Sequence, residues 1–190
     1  MALGGLLNRG FCGLVPPAGA LRTRAGVERC QPLLALLERR DRPLFVHPGP
    51  DPWQPPVGAT DDPPWWTAMT TYIDAMAAAW HAFVAFGRPS HPRLRVVFAL
   101  LAGGAPLHIE RLAARAGPVA GAHDRRLFYD TSSYGVRAID AMIRVVGIDQ
   151  LVHGSDRPIV APLLAAGAVG SAAWRALTST NPARLLGAAR

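Results

Sequence analysis

Apolar positions recur along this chain with two periods, one of about 3.6 residues and one compatible with short buried strands. The run from Gly10 to Val15, GFCGLV, is apolar and bounded by Gly and Pro-Pro, as a buried strand would be. A helix follows over Val27 to Arg40, with Val27, Leu33, Leu34 and Leu37 toward one side and basic residues in its last turn, where they complement the helix dipole. PLFVH, Pro43 to His47, reads as the next strand and places Phe45 and His47 on one face. The strongest helical pattern spans Trp66 to Phe86, through Trp66, Met69, Ile73, Met76, Ala77, Trp80, Phe83 and Val84. Arg93 to Leu101 predicts a third strand, running through Gly103-Gly104 into a helix that ends near Ala116. Leu127 to Asp130 predicts a fourth. Thr131, Ser132 and Ser133 offer N-caps for a helix striped by Ile139, Met142, Ile143 and Val146 and stopped by Gly147. Leu151 to His153 predicts a fifth strand. Asn181-Pro182 reads as a cap with proline at the first helical position, ahead of ARLL and Gly187.

Strand and helix therefore alternate, and the strands are nearly continuous apolar runs. That order predicts an α/β fold with a parallel sheet covered on both faces, in one domain of 190 residues. Between His47 and Trp66, prolines interrupt any regular structure, and the loop leaves the carboxyl end of a strand. Long loops in compact domains usually serve a function. Trp53, Trp65 and Trp66 are the candidates to line a substrate there; covering the helix that follows is the alternative.

Composition narrows the picture. The net charge is +7, yet all twenty basic residues are Arg, mostly single or paired, so no basic stripe suited to nucleic acid emerges. Cys12 and Cys30 stand far apart, which indicates neither a zinc knuckle nor a disulfide framework and suits a reducing cytoplasm. MALGGLLNRGF lacks a basic start and is interrupted by Asn8 and Arg9, a poor secretory signal. The longest apolar run, Ile159 to Trp174, contains Pro162, two glycines and Ser171 and is shorter than the ~20 residues that span a bilayer. No membrane segment is expected.

In a parallel sheet the chemistry gathers at the carboxyl ends of the strands. Asp130 and Asp156 both fall there and form a possible catalytic pair, with capping as the ordinary role of either. His153 differs in parity from Asp156 and is expected to pack against helices. His81, His91, His108 and His123 have no partners at ligand spacing, and Ser132 and Ser133 have no neighbouring His and acid in a nucleophile pattern. AGGAPLH carries neither a dinucleotide fingerprint nor the lysine of a phosphate loop.

FVHPGP at Phe45 to Pro50, VVFALLAGGAPLHIERL at Val96 to Leu112, FYDTSSYG at Phe128 to Gly135, LVHGSDRP at Leu151 to Pro158 and NPARLLG at Asn181 to Gly187 resemble the amidohydrolase-related family, in order and over nearly the whole chain. It is the branch of the metal-dependent hydrolases that also holds the aminocarboxymuconate-semialdehyde decarboxylase type. The resemblance implies a (β/α)8 TIM barrel and a divalent metal, usually zinc, that activates water or polarises a small organic substrate. It implies that His47 is a metal ligand and that Asp156 both binds metal and takes a proton from metal-bound water, with Asp130 in support.

The sequence departs from the family in three ways. No histidine precedes His47, so the first-strand H-x-H ligands are missing. Leu100 stands where the family places a histidine. About five strands are legible against eight in the ~250 residues of a full barrel, as though some three units were lacking. Two lone ligands do not make a zinc site, which takes three or four from the protein. The expectation is accordingly a partial TIM barrel acting as a metal-dependent hydrolase or carboxy-lyase. The alternative is an inactive barrel that binds a partner, a second copy of itself included, through an exposed sheet edge.

Overall fold

The computed structural model describes residues 3–54, 61–117, 119 and 121–187. Four strands, β1 (Leu44–Val46), β2 (Val96–Phe98), β3 (Leu127–Asp130) and β4 (Leu151–Val152), form one parallel sheet in the order β1-β2-β3-β4. Phe45 pairs with Val97, Val97 with Phe128, and Asp130 with Val152, so the carboxyl ends line up along a single edge.

Alternate residues of these strands face two different cores. Leu44, Val46, Val96, Phe98, Leu127, Tyr129 and Leu151 belong to the large cluster shared with the helices. Its helical side comes from Leu34 and Leu37 of α2 (Arg24–Arg39), Met76 and Trp80 of α4 (Thr71–Ala82), and Ile139 and Met142 of α6 (Val136–Val146). At its centre Trp80 Nε1 donates to the Tyr129 hydroxyl at 3.1 Å, which satisfies the polar tips of two buried aromatic side chains. Val97, Phe128 and Val152 face the other way, with Phe45 and with Leu185 of α8 (Asn181–Leu186), in a smaller cluster on the opposite face of the sheet.

Several sequence expectations needed correction. GFCGLV is not a strand: among the described residues, the isolated bridge Leu14 to Leu44 and, just beyond the segment, Pro17 to His47 attach it to β1. Gly10 has a positive φ, and Pro16-Pro17 removes two donors, so no ladder extends. The third strand ends at Phe98, because Leu100 to Gly104 turn left-handed. Gly135, not the Thr-Ser-Ser run, is the N-cap of α6. The long helix over Trp66–Phe86 is α3 (Trp66–Met69), α4 and a π turn over Phe83–Gly87.

Asn181 is not a helix cap either. It lies inside a continuous run from α7 (Ser171–Arg175) through a π turn (Ala176–Thr180) into α8. Its fully buried amide instead donates to the carbonyls of Ile148 and Leu151, holding the start of β4. Leu3–Asn8 forms a short helix, α1, and α5 (Ile109–Ala116) follows the left-handed turn. Among the described residues no helix is long and apolar enough to cross a membrane.

Candidate active site at the carboxyl edge

The strand ends bring four backbone segments to one edge. After β1, His47 is exposed and held at both backbone groups: its N–H donates to Pro16 O at 3.1 Å, and its carbonyl accepts from Ala18 N at 2.7 Å. Its ring stands edge-on to Phe45 at 6.2 Å, confirming their common face, and Nδ1 lies 3.0 Å from Pro48 O. The loop that follows is anchored by Gly19, whose N–H donates to Gly49 O at 3.0 Å. A side chain at Gly19 would collide with the Pro50-Asp51 backbone, so glycine permits this close approach.

After β2, Leu100, Leu101, Ala102, Gly103 and Gly104 all have φ between 49° and 78°. For three of them this left-handed conformation costs about 1–2 kcal/mol each. The cost is borne because Leu101 and Ala102 are buried and Gly103 lies directly on the Ile73 carbonyl of α4. The turn points the Leu100 N–H at the Asp130 carboxylate.

Asp130, at the end of β3, is buried, and its carboxylate accepts from Ser132 N at 3.4 Å. Burial pushes its pKa above the ordinary carboxylate value, and the nearby Asp156 pushes the same way; hydrogen bonds from Ser132 and Leu100 only partly offset this. Beside it Thr131 N donates to Val152 O at 3.0 Å, and Gly154 N donates to Thr131 Oγ1 at 3.3 Å. A side chain on Gly154 would run into Asp130 Oδ1 and Ser132 Oγ.

Asp156 sits just past β4 with φ 53°, and the hydroxyl of Ser133, itself at φ 64°, donates to its Oδ2 at 2.5 Å. Asp130, Ser133 and Asp156 therefore form one polar cluster. Reading Ser133 only as a possible cap missed this holding role, although the polar density of DTSS directly after a strand is its signal. His153, as expected, turns to the helices, with its ring 5.0 Å from that of Trp174.

Trp53 lies over the Arg29 guanidinium of α2 at 5.0 Å, while Trp65 and Trp66 contact each other at 5.6 Å; all three are exposed. Part of their loop, residues 55–60, lies outside the described residues. Among the described residues no three His, Cys, Asp or Glu side chains come together as a metal-holding group. His47 and Asp156 follow the two outer strands of the sheet, with His47 Nδ1 beside Pro48 O and Asp156 Oδ2 accepting from Ser133.

The amidohydrolase family profile matches residues 3–188. No curated protein matches the chain in sequence. Among solved structures, 5-carboxyvanillate decarboxylase LigW from Sphingomonas paucimobilis superposes with a TM-score of 0.74 at 19% identity, covering 93% of this chain and 58% of that one. The apo IDCase of Metarhizium anisopliae gives 0.71 at 21% identity, with 93% and 56% covered. A dihydroxybenzoic acid decarboxylase from Polaromonas, solved with bound manganese and the inhibitor 2-nitroresorcinol, gives 0.59 at 14% identity, with 84% and 54% covered. The chain thus spans a little over half the length of these structures, and the likeness establishes its fold: sequential parallel strands with covering helices, a part of a TIM barrel.

Proposed function

The chain belongs to the amidohydrolase family, and on that premise we propose that it acts on a small organic acid at the carboxyl edge of its sheet, by hydrolysis or by decarboxylation. One observation carries this reading. Asp156 is held in a left-handed conformation at the end of β4 by Ser133, beside the buried Asp130. Strained backbone at a strand end is a common mark of a working residue. Asp156 is the group assigned to move the proton. Hydrolysis needs one removed from water, and loss of CO2 needs one delivered to carbon, so a single carboxyl group serves either reaction. The decarboxylases among the structural relatives favour the second. Trp53, Trp65 and Trp66 are proposed to bound the substrate.

The family works with a divalent metal, zinc in the first expectation and manganese in the Polaromonas relative. Such an ion supplies a polarised carbonyl or a water of pKa near ~7. His47 and Asp156 would be this chain's donors, and they fall short of the three or four protein ligands that zinc takes.

That shortfall supports a second reading, a non-catalytic barrel that works by binding another chain. Leu100 favours it, since leucine neither moves a proton nor binds a metal. Elemental analysis after dialysis against Zn2+ or Mn2+ separates the two. The first reading expects bound metal that is lost in His47→Ala and in Asp156→Asn. Metal retained in both variants removes these residues from the site, and a wild-type protein that takes up no metal favours the second reading.

A further inference from the structure

At the opposite end of the sheet, where the strands begin, a cleft of about 470 Å³ is lined by Asp41, Arg95, Arg125, Arg126, Phe128, Arg184 and Gly187. Its cations come from three directions. Arg95 precedes β2, Arg125 and Arg126 precede β3, and Arg184 reaches in from α8 with its guanidinium 5.6 Å from the Phe128 ring centroid.

Among the described residues only one carboxylate answers them. Asp41 Oδ1 lies 2.8 Å from Arg95 Nη1, and its carbonyl accepts from Arg95 Nη2 at 2.7 Å. Arg95 is nearly buried, and its Nε has no partner. Arg126 makes only a 3.4 Å contact to the Arg93 carbonyl, and Arg184 donates to the Asp149 carbonyl at 3.0 Å. Arg125 has no polar partner among the described residues. Among the described residues, three guanidiniums thus converge on one small cleft without a carboxylate of their own. The absence of a side chain on Gly187 keeps the space beside Arg95 open, since a Cβ there would stand 2.9 Å from Arg95 Nη2.

Like charges gathered without counter-charge repel one another, and an anion that bridges them relieves the repulsion while accepting their hydrogen bonds. A planar carboxylate meets one guanidinium fork well. Forks arriving from separate directions suit a tetrahedral group with acceptors on several sides. The cleft is also the size of a small-molecule pocket, and it is a pocket rather than the extended stripe a nucleic acid needs. We infer that it binds a small, multiply charged phosphate compound of the diphosphate class, at the end of the barrel away from the proposed active site.

The test is calorimetric titration of the 190-residue chain with pyrophosphate, alongside citrate as a polycarboxylate of comparable charge. Pyrophosphate is expected to bind and to weaken as salt rises. Arg125→Ala and Arg184→Ala are each expected to weaken binding tenfold or more, while the exposed Arg39→Ala on α2 leaves it unchanged. Arg125 is exposed and makes no internal bond, so its variant reads binding even if Arg184→Ala fails to fold. His47→Ala should bind pyrophosphate as the wild type does, which keeps this result separate from any failure at the carboxyl edge. No binding of pyrophosphate, equal or tighter binding of citrate, or an equal loss in Arg39→Ala would each overturn the inference.

Discussion

Gly154 shows how one residue fixes the geometry of the carboxyl edge. Its N–H binds Thr131 Oγ1, and its bare α-carbon leaves the room that the Asp130 and Ser132 side chains occupy. Gly154→Ala forces those groups aside and is expected to destabilise the fold by about 1–3 kcal/mol, as overpacking does. Thermal or urea unfolding measures the loss. Because the obstacle is the Asp130 carboxylate, Asp130→Ala in the same chain should recover much of it, a coupling that a double-mutant cycle reads directly. If the two losses simply add, the contact does not govern the site. Asp156 was legible as a candidate because an acid directly after an apolar strand is a visible pattern. Gly154 was not: in the sequence it is one glycine among nineteen, and only the approach of a neighbouring strand gives it a task.

Among the elements, the left-handed turn from Leu100 to Gly104 was hidden for a different reason. Leu and Ala strongly prefer right-handed backbone, so ALLAGG reads as a strand running into a helix. What holds the turn is tertiary: Leu101 and Ala102 are buried, and Gly103 packs on the Ile73 carbonyl. Gly103→Ala meets both a positive φ and that carbonyl, and is expected to cost about 2 kcal/mol or more. It should also disturb the edge, since the turn carries the Leu100 N–H that binds Asp130. Amide hydrogen exchange faster at Leu100 and Leu101 than in β3 would show the turn loosening first; unchanged protection there would contradict this account. By contrast β3 was readable to its ends, because LFYD is a short apolar run set between a pair of arginines and a polar cluster. The final helix was misread because Asn181-Pro182 imitates a helix start. In the folded chain the Asn181 amide serves β4 instead, a contact with residues some thirty positions away.

For the molecule as a whole, parallel order and alternating burial followed from the apolar runs, while the interactions that tie layers together did not. His91 has no partner at ligand spacing in the sequence. It is buried, with Nε2 on Gln31 Oε1 and Nδ1 3.3 Å from Glu38 Oε2, joining the segment before β2 to α2. His81 on α4 gives the whole fold a pH dependence. It shares a cleft with His108, Arg111 and Arg115, and a neighbouring groove adds Arg22 and Arg24. Burial lowers its pKa below the ordinary histidine value, and the charge of His108 lowers it further. Below its usual pKa of about 6.5 the unfolded chain therefore binds a proton that the folded chain resists. Stability from this site is full above that pH and is lost as pH falls through the window beneath it. His81→Gln removes the titrating group, so the slope of unfolding free energy between about pH 6.5 and 5 should flatten relative to wild type. Urea titrations at pH 7.5 and pH 5.5 supply the comparison, and an identical pH slope in both proteins would show that His81 does not carry the effect.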